Sequence, residues 1–128
     1  SLNGKKILLC EDNQLNREIA CALLKNKGIT TVCAENGEKG VKLFSESNPY
    51  EYSAVLMDVR MPVMDGIDAT KQIRLLERSD AADVPIIAMT ADAFAEDVQR
   101  CLDAGMNAHI AKPINPEVMF STLCKYIK

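Results

Sequence analysis

The sequence predicts an α/β domain in which five parallel strands alternate with five helices that cover both faces of the sheet. Five short apolar runs are separated by five longer stretches with apolar residues at helical spacing. The runs are rich in Val, Ile, Leu and Met and mostly lack strict alternation, the pattern of strands buried on both faces. An unbroken βαβ alternation of this kind implies parallel pairing with right-handed crossovers.

The first strand is KKILLC (5–10), followed by a helix marked by Leu15, Ile19, Ala22 and Leu23 and closed by Gly28. TTVCA (30–34) is the second strand, and Gly40, Val41 and Phe44 mark a helix that ends before Asn48-Pro49. SAVLMD (53–58) is the third. Asp65, just ahead of Gly66, is placed to cap a helix carrying Ile67, Thr70, Ile73 and Arg74. A polar loop over 77–83 leads to the fourth strand, VPIIAMT (84–90). Phe94, Val98, Cys101 and Leu102 mark the next helix, with Gly105 as its C-cap. NAHIA (107–111) is the last strand, and Val118, Leu123 and Ile127 mark the last helix, with Pro116 near its first turn.

A chain of 128 residues suits one domain spanning 1–128 with a single core. The net charge of −3 argues against direct nucleic-acid binding, which needs a concentrated basic face. No apolar stretch approaches the ~18 residues of a membrane span, and no signal-peptide pattern is present, so a cytoplasmic domain without membrane contact is expected. The five cysteines (Cys10, Cys21, Cys33, Cys101, Cys124) are odd in number and include no C-x-x-C pair. They are expected to be reduced and structural, with Cys10 and Cys33 acting as small hydrophobes within apolar runs.

Chemistry gathers where the strands end. Ligands of doubly wound sheets bind at the carboxyl ends of the strands. The first strand here ends in Glu11-Asp12, the third in Asp58, the fourth in Thr90 and the fifth in Lys112-Pro113. In the order 2-1-3-4-5, strands one and three are neighbours about 4.8 Å apart, so Glu11, Asp12 and Asp58 share one pocket. Carboxylates that close repel unless one takes a proton or a cation intervenes, and an all-oxygen site suits Mg²⁺. The loop EDNQ repels a bare phosphate, and the chain has no G-x-x-x-x-G-K-[ST] sequence, so nucleotide binding is not expected. A carboxylate can carry a phosphoryl group, with a metal and a lysine neutralising the transferring oxygens. Asp58 is accordingly read as a phosphorylation site.

The segments ILLCEDN, LMDVRMPVMDG, PIIAMTADAF and HIAKPI, in this order, resemble the receiver domain of two-component response regulators over essentially the whole chain. The stretches DNQLNREIACALLKNKG and FAEDVQRCLDAGMN resemble especially the receivers of hybrid sensor histidine kinases. The resemblance implies a flavodoxin-like (βα)5 fold in which Asp58 accepts phosphate from a phosphohistidine. It further implies that Asp12, Asp58 and the backbone carbonyl of Arg60 hold Mg²⁺ or Mn²⁺, with Glu11 helping through water. Lys112 would pair with the phosphoryl group, Thr90 would move to bind it, and a cis bond would precede Pro113.

The implied partners are a histidine kinase, a histidine-phosphotransfer protein, or both, and the implied location is the cytoplasm, whether free or as part of a membrane-anchored hybrid kinase. Two positions depart from the family pattern: His109 stands where Tyr or Phe is usual, and Asp92 where Asn is common. His109 is expected to be a partly buried structural residue beside the readout face formed with Thr90 and Phe94. Asn13 and Asn16 are expected to cap or order their loop. The alternative of a phosphate-independent interaction module predicts a damaged pocket. An aspartate-nucleophile phosphohydrolase would need a second Asp where Arg60 stands.

Overall fold

The computed structural model describes residues 2–91 and 95–127, and of 95–97 the backbone only. Its strands are β1 (Lys6–Cys10), β2 (Thr30–Ala34), β3 (Ala54–Asp58), β4 (Ile86–Thr90) and β5 (Ala108–Ala111). Its helices are α1 (Gln14–Asn26), α2 (Gly37–Glu46), α3 (Gly66–Arg74), α4 (Ala95–Ala104) and α5 (Pro116–Tyr126). All pairings are parallel, in the order β2-β1-β3-β4-β5. This is the predicted doubly wound sheet.

The core divides at the sheet. Ala20 and Leu24 of α1 and Met119 and Leu123 of α5 pack with Ile7, Leu9, Leu56, Ile87 and Met89 on one face. Phe44 of α2, Ile67 and Ile73 of α3 and Cys101 of α4 pack with Leu8, Val55, Met57 and Ile86 on the other. Alternate residues of one strand therefore serve opposite cores, which is why β3 and β4 are apolar without a period of two.

Several boundaries and faces differ from the sequence expectation. β2 and β5 are edge strands with partly open faces, so Cys33 and His109 are exposed. Among the described residues, only the three central strands have a strand on both edges. On α1 the buried residues are Ala20 and Leu24, while Leu15 and Ile19 are 64% and 47% exposed. On α5 Met119 and Leu123 are buried and Val118 is largely open. Both helices carry two apolar stripes, and periodicity alone does not say which one meets the sheet. β4 begins at Ile86 because Val84 donates its N–H back to Asp80 and Pro85 has none; Pro85 only accepts, from Val55 N–H at 2.8 Å.

The expected caps form. Asn13 Oδ1 accepts from Asn16 N–H at 3.0 Å, and Asp65 Oδ1 from Asp68 N–H at 2.8 Å. Gly28 and Gly105 follow α1 and α4 with φ of 76° and 109°, the left-handed conformation that ends helices. Among the described residues no helix is long and apolar enough to cross a membrane.

Candidate functional site

Every strand of a parallel sheet points the same way, so the residues that follow β1, β3, β4 and β5 meet at one edge. β1 and β3 run in register, Cys10 opposite Met57, which brings Glu11 and Asp12 beside Asp58. One oxygen from each of Glu11, Asp12 and Asp58 lies within 4.8 Å of the others. Glu11 and Asp58 are buried, at 1% and 4% exposure, and Asp12 is open to solvent.

Lys112 reaches in from the end of β5. Its Nζ stands 2.7 Å from Glu11 Oε1 and 2.9 Å from Asp58 Oδ2. The Lys112–Pro113 peptide bond is cis, as the resemblance implies. Thr90, buried at the end of β4, lines the same cavity of about 250 Å³, together with Arg60, Asn13 and Asn16.

The backbone fixes these groups. Glu11 Oε2 accepts from Asn13 N–H at 3.2 Å, and Arg17 Nη1 donates to the Glu11 carbonyl at 2.8 Å. Arg17 is a neighbour of the pocket that pattern reading missed. Its signal was a cation in the first turn of a helix, the end where the dipole disfavours it. Gly66 lies so close to β3 that a Cβ there would overlap the Asp58 carbonyl oxygen and crowd Met57 Cγ. The D-G sequence after Met64 is therefore a packing requirement as well as a helix start. Between them, Met64 N–H bonds to Pro62 O at 2.8 Å around Val63, whose φ of 69° is rare for a β-branched residue.

The electrostatics are unbalanced. Burial, reinforced by Glu11 and opposed by Lys112, pushes the Asp58 carboxyl up to about 7. Burial also works to raise Glu11, but its hydrogen bonds with Asp58, Lys112 and Asn13 outweigh it and hold Glu11 low. For Lys112, burial is outweighed in turn by its two carboxylate partners, which keep the ammonium protonated. Lys112 thus serves both buried carboxylates, and the pair Glu11–Asp58 retains a proton it would give up to a further cation. The donors are hard oxygens, few in number and open on the Asp12 side, which fits Mg²⁺ with its retained waters.

The sequence-predicted residues Glu11, Asp12, Asp58, Thr90 and Lys112 therefore converge, with Arg60 at the rim; its N–H is 3.4 Å from Asp58 Oδ1. His109 does not match its expectation. It is exposed on β5 opposite Ala88 rather than partly buried, because an edge strand leaves alternate side chains open. Asp92 and Phe94 lie outside the described residues.

This geometry agrees with comparisons to known proteins. The family model described as "Response regulator receiver domain" matches residues 7–123. The chain is 34% identical over 130 residues to hybrid signal transduction histidine kinase I of Dictyostelium discoideum, covering 97% of this chain but 8% of that protein. Plant histidine kinases match similarly, histidine kinase 3 of Arabidopsis thaliana at 33% identity over 143 residues, covering 98% of this chain but 14% of that protein. The receiver domain of sensor histidine kinase PA1611 from Pseudomonas aeruginosa, solved with magnesium in its active-site cleft, superposes with a TM-score of 0.87 and 38% identity, over 96% of this chain and 97% of that one. The receiver domain of Ssk1 from Saccharomyces cerevisiae, solved with the histidine phosphotransfer protein Ypd1, gives a TM-score of 0.86 and 30% identity, over 95% and 88%. With an acidic pocket, a lysine and a threonine at the carboxyl edge of a 2-1-3-4-5 sheet, this chain belongs to the response regulator receiver domains of two-component and phosphorelay systems.

Proposed function

We propose that Asp58 is the phosphoryl acceptor of a phosphorelay, within a single cytoplasmic receiver domain spanning 1–128 that is part of a longer histidine kinase. The observation that carries this reading is the placement of Asp58: a 4%-exposed carboxylate at the tip of a buried strand, 2.9 Å from the Lys112 ammonium and grouped with two further acids. A purely structural carboxylate would be neutralised by its partners, whereas this one remains short of positive charge.

In the transfer, an Asp58 oxygen attacks the phosphorus of a phosphohistidine, an O–P bond forms, and the N–P bond breaks with the electron pair returning to the imidazole. Lys112 holds the negative oxygens of the migrating group, and the Thr90 hydroxyl donates to the group once in place. Asp12, Asp58 and the Arg60 carbonyl, with Glu11 through water, are the residues that would hold Mg²⁺. When bound, the ion supplies charge neutralisation at the phosphoryl oxygens. Phosphorylation adds about one negative charge and biases the region of Thr90 and His109 between two arrangements.

The donor or acceptor is a histidine kinase or a histidine-phosphotransfer protein. Leu15 and Ile19 of α1 are exposed, and Ile19 and Ile114 line a small cavity that also reaches Glu11 and Lys112. An apolar surface at the rim of a charged site suits a partner that must seat one histidine over Asp58.

Intact mass after incubation with a small acyl phosphate tests the proposal. Wild type is expected to gain one phosphoryl group only with Mg²⁺, and Asp58→Asn none. A folded wild type that gains none and binds no Mg²⁺ would favour a phosphate-independent interaction module instead.

A further inference from the structure

The sequence offers no C-x-x-C pair, yet the fold builds a close pair of thiols. Cys21 on α1 and Cys33 on β2 are 12 positions apart, and their sulfurs stand 3.2 Å from each other. A disulfide bond is about 2.05 Å, so closure needs the sulfurs to approach by only ~1.2 Å, within reach of side-chain rotation. Cys33 is exposed on the sheet edge and Cys21 is half-buried behind it.

We propose that Cys21 and Cys33 form a reversible intrachain disulfide by exchange with a low-molecular-weight disulfide, a modification site separate from the acidic pocket. The surroundings suit that reagent. Cys33 opens on a cleft of about 440 Å³ lined by Arg17, Lys39 and Lys42 against Glu35 and Glu46, one net positive charge in favour of an anionic disulfide. Burial, the hydrogen bond to Cys33 and that sulfur's charge push the Cys21 thiol up to about 12, so Cys33 is the sulfur that meets the reagent first. The Cys33 thiolate attacks R–S–S–R, forming a Cys33–S–S–R bond and releasing one R–S⁻, which takes up a proton. Cys21 then loses its proton to solvent base and attacks the Cys33 sulfur, releasing the second R–S⁻. The net change is two protein thiols and one small disulfide converted into one protein disulfide and two small thiols.

The cross-link would tie α1 to β2 one helical turn beyond Arg17, the residue that holds the Glu11 carbonyl. Exposed Cys124 on α5, for which no sulfur contact is found among the described residues, serves as an internal comparison, since a thiol without a neighbouring sulfur stops at the mixed disulfide.

The experiment equilibrates the protein in buffers of reduced and oxidised glutathione, then quenches, alkylates and maps peptides by mass. The expected product is a Cys21–Cys33 linked peptide with a loss of ~2 Da and a thermal midpoint higher by on the order of 5 °C. Cys33→Ser is expected to leave Cys21 alkylatable, and Cys21→Ser to trap glutathione on Cys33. Persistent glutathione on Cys33 of wild type with Cys21 still alkylatable, or oxidation confined to Cys124, would overturn the proposal. Both readouts are taken on the folded wild type, so they do not depend on a variant's stability.

Discussion

The two ends of the sheet bury charge in opposite ways. At the amino ends of the strands, Arg78 pairs with Asp80 at 2.6 and 3.1 Å and donates to the carbonyls of Phe44 and Ser47 at 2.7 and 2.9 Å. Its guanidinium also stacks 4.6 Å from the Phe44 ring centre. Asp80 is 1% exposed and accepts from Tyr50 N–H as well; although burial alone would raise its carboxyl, Arg78 and that N–H hold it low. Arg74 nearby donates to the carbonyls of Gly105, Ala81 and Val84 and to Asn107 Oδ1. At the carboxyl ends, Glu11 and Asp58 share Lys112, with Asp12 beside them, and Asp58 is driven up to about 7. One cluster is electrostatically complete and serves the fold. The other is left short of a cation, and that deficit is what marks it as a candidate metal site.

The largest effect is expected from breaking the complete cluster. Arg78→Ala leaves the Asp80 carboxylate buried and unpaired and should lower unfolding free energy by about 3–5 kcal/mol in a urea titration. A loss below ~1 kcal/mol would show that the network is decorative.

Gly66→Ala strikes the other end through packing, by driving a methyl group into the Asp58 carbonyl. A destabilisation of about 1–3 kcal/mol is expected, together with weakened Mg²⁺ binding read by calorimetry. Unchanged metal affinity would mean that the β3–α3 contact does not position Asp58.

Asp58→Asn should move stability the opposite way, because it removes a frustrated charge. The folded Asp58 carboxyl titrates near 7, against an ordinary value of 3.8. Between those values the folded protein holds the extra proton, so wild-type stability falls as pH rises from about 4 to 7 and levels off above. The variant lacks this loss. Without metal it is expected to equal wild type near pH 4 and exceed it by about 1–3 kcal/mol at pH 8. A constant difference across that range would place the charge elsewhere.

The smallest effect sharpens the comparison at the rim. Val63→Gly relieves the positive φ in the loop between β3 and α3 and should add about 0.5–1 kcal/mol, with phosphoryl uptake unchanged.

The site end was far more legible in the sequence than the structural end. Strand ends in a parallel sheet converge by topology, so residues placed straight after apolar runs, such as Asp58 and Lys112, could be assigned to one pocket without knowing any side-chain path. Arg74 and Arg78 could not. Many of their partners are backbone carbonyls, those of Gly105, Phe44 and Ser47 lying more than 30 positions away, and carbonyls carry no residue-type signature; the segment 77–83 read only as polar. The sheet edges misled for a related reason. Cys33 and His109 sit in apolar runs like those of β3 and β4, and the order 2-1-3-4-5 makes β2 and β5 edges without saying which of their side chains face solvent. The Cys21–Cys33 approach likewise depends on how α1 lies across β2.

What sets the carboxyl end apart is the excess negative charge of the buried pair Glu11–Asp58. Titrating Mg²⁺ by calorimetry at pH 6 and pH 8, in buffers of different ionisation enthalpy, measures it directly. Binding that releases close to one proton at pH 6 and little at pH 8, and that is lost or strongly weakened in Asp58→Asn, is the predicted result. Binding that is independent of pH and unchanged in Asp58→Asn would contradict it.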